Sequence, residues 1–101
     1  MAIAEVSIVP VGTGNTSLSQ YVARVIEVLQ KSDLEYELTA MGTIVSGDLD
    51  KLWGLVRTMH ESCFDAGIGR VLTNIRIDDR RDRVASPEAK VRSVLEKLPQ
   101  A

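Results

Sequence analysis

The order in which two hydrophobic periodicities alternate along this chain constrains its fold more than any other feature. Segments with every second residue apolar read as strands, and segments with apolar residues three and four apart read as amphipathic helices. Ile3–Val9 is the first strand, with Ala4, Val6 and Ile8 on one side and Ile3, Glu5, Ser7 and Val9 on the other. Pro10–Thr16 has the composition of a loop. Ser17 and Gln20 then have the spacing of a capping box, predicting a helix whose stripe of Leu18, Tyr21, Val22, Val25, Ile26 and Leu29 runs to about Lys31. Leu34–Thr39 alternates again, with Leu34, Tyr36 and Leu38 inward and Glu35, Glu37 and Thr39 outward. Ala40-Met41-Gly42 is a turn into a β-rich Thr43–Ser46, closed by Gly47, so these two strands form a hairpin. Asp48 caps a second helix carrying Leu49, Leu52, Trp53, Val56, Met59, His60 and Cys63, and Gly67 suits the left-handed residue after its last turn. Arg70–Ile77 is the fourth strand, with Val71, Thr73, Ile75 and Ile77 opposite Leu72, Asn74 and Arg76. Ser86 and Pro87 start a short third helix bearing Val91, Val94, Leu95 and Leu98, which Pro99 stops.

The resulting order, β-α-β-β-α-β-α, is that of an α+β, ferredoxin-like split β-α-β sandwich: a four-stranded antiparallel sheet with helices on one face, plus a short C-terminal helix. The expected strand order is 4-1-3-2, which pairs the first and fourth strands and brings Glu5 beside Arg76. The chain of 101 residues, 45% hydrophobic and 26% charged, is read as a single domain, 1–101. Its own core is thin at this size, which makes help from partner subunits plausible. The net charge of −2 supplies no global field for nucleic acid, and no exposed aromatic pair is available for base stacking. Tyr21, Trp53 and Phe64 fit helix packing instead. The lone Cys63 cannot form an internal disulfide, the N-terminal residues lack the pattern of a signal peptide, and no apolar stretch approaches membrane-spanning length. Cytoplasmic residence, with no membrane partner, is the expectation.

The chemistry-bearing residues are sparse. His60 and Cys63 have the residue types of a nucleophilic couple, but their helical spacing places no substrate beside them, and packing accounts for both. One His and one Cys fall short of a zinc set. Gly12-Thr13-Gly14-Asn15 suggests a phosphate loop, yet it lacks the lysine and spacing of a Walker loop, so a turn at a pocket edge is expected. Asp78-Asp79-Arg80-Arg81-Asp82-Arg83 balances its own charges and reads as a solvated or intersubunit network. The sheet face without helices mixes Glu5, Glu35 and Glu37 with Ser7, Thr39, Asn74, Val9 and Leu72, with Met41 near its edge. Such a surface suits a subunit contact containing a site for a small cationic heterocycle.

Val6-Ser7-Ile8-Val9-Pro10-Val11-Gly12, Tyr36-Glu37-Leu38-Thr39-Ala40-Met41-Gly42-Thr43 and Arg70-Val71-Leu72-Thr73-Asn74-Ile75-Arg76-Ile77 resemble the small thiamine-binding protein family, formerly a conserved uncharacterised family, and the resemblance covers nearly the whole chain. It implies the same ferredoxin-like fold, self-association through sheet faces into a dimer or homotetramer, and non-catalytic binding of thiamine or a related pyrimidine, with no cofactor or metal required. Carried onto this sequence, it makes Ser7, Thr39, Met41, Gly42, Thr43 and Asn74 pocket candidates and Glu37 an electrostatic contact. The resemblance implies an acid, present in many relatives, before the glycine that ends the third strand; this chain has Ser46 before Gly47 and so departs from an acidic ligand contact there. The alternatives are a structural or regulatory oligomerisation module without a ligand and a small enzyme using Cys63 and His60.

Overall fold

A computed structural model describes residues 1–82 and 86–99. Arg83, the last residue of the mixed-charge run, lies outside them. The strands are β1 (Ala2–Pro10), β2 (Glu35–Thr39), β3 (Gly42–Gly47) and β4 (Val71–Asp79), and the helices α1 (Ser19–Gln30), α2 (Leu49–Asp65) and α3 (Pro87–Leu95). All pairings are antiparallel, in the order β2-β3-β1-β4, which is the expected ferredoxin-like arrangement.

Alternation decides which side chains meet α1 and α2. Ala2, Ala4 and Val6 of β1 and Val45 of β3 are buried against Val25 and Leu29 of α1 and Leu52, Leu55, Val56, Met59 and Cys63 of α2. The small Ala2 and Ala4 leave room for α2 to pack closely on the central strand. Asp48 caps α2 by accepting from the Lys51 backbone N–H at 3.2 Å, and Ser86 caps α3 in the same way through Ala89 at 3.1 Å. Gly67 adopts φ +88 after α2. Gly47 holds φ +154, which side-chain-bearing residues rarely adopt, and a Cβ there would lie 2.4 Å from Leu34 Cδ2 and displace that methyl group.

Four expectations are corrected. The capping box does not form: α1 starts at Ser19 behind Leu18, with no side-chain cap, because the Ser17 N–H is turned onto Asn15 Oδ1 at 2.9 Å. Tyr36 and Leu38 share the helix-side face but remain exposed, Leu38 at 55%, because β2 is an edge strand beyond the cover of the helices. Trp53 is 49% exposed, since the buried row of α2 runs through Leu52, Leu55, Val56, Met59 and Cys63 and leaves Trp53 off its edge. Phe64 is also exposed and lies edge-on to His60, with ring centroids 5.3 Å apart.

The opposite face of the sheet carries Ile3, Glu5, Ser7 and Val9 beside Asp78, Arg76, Asn74 and Leu72, with Arg76 Nη2 donating to Glu5 Oε1 at 3.0 Å. Arg80 pairs with Asp82 at 2.5 Å and Arg81 with Asp79 at 2.8 Å, so four charges of the mixed-charge run pair within it, while Asp78 pairs with Lys90. Among the described residues no helix is long and apolar enough to cross a membrane.

Candidate functional site

The site originates in a mismatch of strand lengths. β1 pairs with β4 from Ala2↔Asp79 to Pro10↔Val71, whereas β3 accompanies it only from Ala2↔Gly47 to Val6↔Thr43. There the chain turns away through Ala40 and Met41 into β2. Ser7, Ile8 and Val9 therefore face a notch where a neighbouring strand would lie. The Val11 N–H donates to the Arg70 carbonyl at 2.8 Å, on the β4 side. Because the hydrogen-bonding side alternates along a strand, Ile8 turns both its N–H and its C=O into the notch.

The roof of the notch is α1. Its apolar stripe is too wide for one contact: Val25 and Leu29 are buried in the core, α1 packs chiefly on α2, and Leu18, Val22 and Ile26 are left facing the notch. The space between α1 and the notch is a cleft broadly open to solvent and measures about 770 Å³. That lies in the range of small-molecule sites, about 300–1,000 Å³. Val6, Ile8, Leu38 and Met59 supply further apolar wall, and Glu27, Gln30 and Ser19 supply polar groups from α1.

Five of the seven residues expected from sequence, Ser7, Thr39, Met41, Gly42 and Thr43, line this cavity. Glu37 and Asn74 do not, lying on the open face of the sheet. Thr43 is buried and makes no side-chain hydrogen bond among the described residues, yet no buried side-chain oxygen there is orphaned. Its hydroxyl therefore opens onto the cavity. Thr39 is occupied differently: its hydroxyl donates to the Gly42 carbonyl at 2.8 Å and accepts from the Met41 N–H at 3.3 Å, closing the two-residue turn. Met41, at the tip, is 84% exposed. Gly42 passes so close to β1 that a Cβ would sit 2.9 Å from the Val6 carbonyl oxygen. The α1 contribution, including Glu27, is absent from the sequence reading, although a stripe wider than one packing row was the signal for it.

The other candidates behave as packing and turn groups. His60 Nδ1 lies 2.6 Å from the Thr73 hydroxyl, tying α2 to β4. Cys63 is buried, and desolvation pushes its thiol up, opposite to the shift that activates a nucleophile. In the Gly12–Thr16 loop, Thr13 and Asn15 spend their side chains on the turn itself, with Thr13 Oγ1 donating to the Asn15 carbonyl at 2.9 Å. Among the described residues no three His, Cys, Asp or Glu side chains are placed to share a metal ion.

Comparison with known proteins assigns the architecture to a family. The family described as "Thiamine-binding protein" matches residues 4–95. The UPF0045 protein YqgV of Bacillus subtilis is 45% identical over 98 residues, covering 93% of this chain and 94% of its own. A UPF0045 protein of Methanothermobacter thermautotrophicus is 46% identical over 99 residues, covering 97% and 100%. Among solved structures, protein MJ1052 of Methanocaldococcus jannaschii superposes with a TM-score of 0.86 at 39% identity, covering 94% of this chain and 96% of that one. A Thermotoga maritima protein, provisionally named for thiamine biosynthesis or salvage, shares the fold with a TM-score of 0.76 at 19% identity over 92% of this chain and 97% of that one. With its sequence matched from β1 into α3 and its fold shared along the same length, this chain belongs to the thiamine-binding protein family.

Proposed function

We propose that this protein binds thiamine or a related pyrimidine metabolite, without turning it over, in the cavity between α1 and the β2–β3 hairpin. The observation that carries the reading is the notch beside Ser7–Val9, where β1 has lost its neighbour. The adjacent N–H and C=O of Ile8 form a donor–acceptor pair, the complement of an aminopyrimidine edge with its ring nitrogen and amino group. The walls of Val6, Val22 and Ile26 suit the faces of a flat ring, and the Thr43 hydroxyl suits a polar substituent. Glu27 is the carboxylate among the lining residues and favours a cationic second ring at the open side. The family assignment supports the same ligand class.

Calorimetry tests it. Thiamine and hydroxymethylpyrimidine are both expected to give saturable heats, and the isolated thiazole alcohol none. Val22→Trp, which fills the cavity from a half-buried helix position, is expected to abolish the heat with an unchanged circular dichroism spectrum. No saturable binding of either pyrimidine compound up to millimolar concentration would overturn the proposal.

We further propose self-association through the open sheet face. Leu72 is 55% exposed there and stands across from Val9, with Ile3 and Ile44 in the adjoining rows. Light scattering of the purified chain should give a dimer or a larger closed assembly, and a monomer at high concentration would rule this out.

A further inference from the structure

The C-terminal helix raises a separate question. Val91, Val94, Leu95 and Leu98 recur at the spacing of one helix face, and all four are more than half exposed. α3 is well formed, with the Ser86 cap and Pro87 in its first turn, yet none of its residues is buried. A short helix gains most of its stability in a protein by packing an amphipathic face. Among the described residues, none of its apolar side chains is buried against the rest of the chain. The consequence shows in the dimensions: the radius of gyration is 15.5 Å and the longest extent 48 Å, against about 13 Å for the radius of a compact chain of 100 residues.

Its point of departure is informative. Lys90 Nζ donates to Asp78 Oδ2, and Asp78 stands opposite Ile3 in the row that faces away from α1 and α2. α3 thus leaves the body at a corner of the open face. That face carries Glu5, Glu35, Glu37 and Asp78 against Arg76, whereas the apolar stripe of α3 is flanked by Lys90, Arg92 and Lys97 together with Glu88, with Lys90 already bonded to Asp78 of its own chain. Among the described residues these two surfaces both expose apolar side chains and carry opposite net charge, acidic on the sheet and weakly basic on the helix.

We infer that α3 is a clasp: its apolar stripe seats on a second copy of this chain, against that copy's open sheet face. A two-fold arrangement satisfies both surfaces twice, each protomer giving its helix and receiving its partner's. The complementary charges speed encounter and set register, while the four apolar side chains supply the burial. The inference rests on the self-association proposed above but is separable from it, since two sheets packing face to face need no helix.

Two measurements test it on the full-length chain. First, Val94→Asp combined with Leu95→Asp changes only exposed positions, so folding is not at risk. Sedimentation equilibrium is expected to show the dimer dissociation constant raised about tenfold or more. Second, a Val94→Cys chain is mixed with chains bearing Leu72→Cys, Asn74→Cys or Ile44→Cys and oxidised, with Cys63 buried and out of the reaction. A cross-linked heterodimer with at least one sheet position is expected. A dimer that survives the double Asp variant and gives no helix-to-sheet cross-link would overturn the clasp while leaving sheet-face association intact. A wild-type monomer would overturn both. A chain carrying Val94→Cys and Leu72→Cys together that cross-links only to itself would show α3 folding back on its own sheet, and would also overturn the clasp.

Discussion

Thr43 and Gly42 are adjacent, but they serve the cavity in different ways, and single substitutions separate those roles. The Thr43 hydroxyl faces the cavity with no protein partner. Thr43→Val exchanges it for a methyl group that the fold tolerates, because a hydroxyl freed of its hydrogen-bonding task contributes little to stability. Denaturant midpoints are expected to stay near wild type while the affinity for thiamine falls about three- to tenfold, the range of one hydrogen bond of about 0.5–1.5 kcal/mol. Gly42→Ala has the reverse emphasis. A methyl group 2.9 Å from the Val6 carbonyl must push the hairpin away from β1. Overpacking of this kind costs about 1–3 kcal/mol, so the variant should unfold at clearly lower urea concentration, with ligand affinity falling because the notch has changed shape. Neither role is legible in the residue types alone. The sequence marks Thr43 and Gly42 as candidates through resemblance, and only the approach of β3 to β1 shows that one presents a polar group and the other is a gap kept clear.

At the scale of elements, the strands and helices follow from period and punctuation. The α2 N-terminus was readable because Asp48 precedes an apolar row, and Gly67 ends it for the steric reason that predicts it. The α1 start departs from what the spacing predicts because the Ser17 N–H donates to Asn15 Oδ1, a local competition that spacing does not reveal. Edge position explains β2: alternation distinguishes its two faces but says nothing about whether a helix covers either one. Charge pairs fasten the ends of these elements. Lys51 Nζ lies 2.7 Å from Asp33 Oδ2, joining the α1–β2 connection to α2, and that hydrogen bond holds the Asp33 carboxyl below its usual value. Asp79 is lowered likewise by its bond to Arg81. Each group binds its proton more weakly folded than unfolded. The stabilisation is therefore fully present above the ordinary carboxylate value and is lost as pH falls through the lowered folded one. Urea midpoints measured from pH 6 downward should decline for the wild type through the acid range, and Asp33→Asn with Asp79→Asn should flatten that limb. A decline of the same steepness in the double variant would assign the acid sensitivity elsewhere. The Lys51–Asp33 pair is exposed on both sides and Arg81 is exposed in the other, so the effect should also shrink in added salt.

For the whole molecule, a ligand that binds only the folded state stabilises it by mass action, by about 2.7 kcal/mol at a hundredfold excess over its dissociation constant. Thiamine added at that excess should raise the thermal midpoint of the wild type and leave that of Val22→Trp where it was. An equal shift in both would place binding outside the cavity. The two halves of the molecule also differ in what completes them: the helix side closes over its own core and leaves the notch beside β1, whereas the open face and α3 are finished by another chain in the arrangement inferred above. The sequence by itself determined the element order and hence the ferredoxin-like sheet, because side-chain periodicity is local and that order leaves few ways to bury every apolar face. It also marked the hairpin and the end of β1 as the site region, through the resemblance of those segments. Only the tertiary structure decided which face of the sheet the cavity occupies and that α1 roofs it. The physical reason is that a cavity is made where packing stops: it depends on β3 ending at Thr43 while β1 runs on to Pro10, a difference in paired length that exists only once the strands lie side by side.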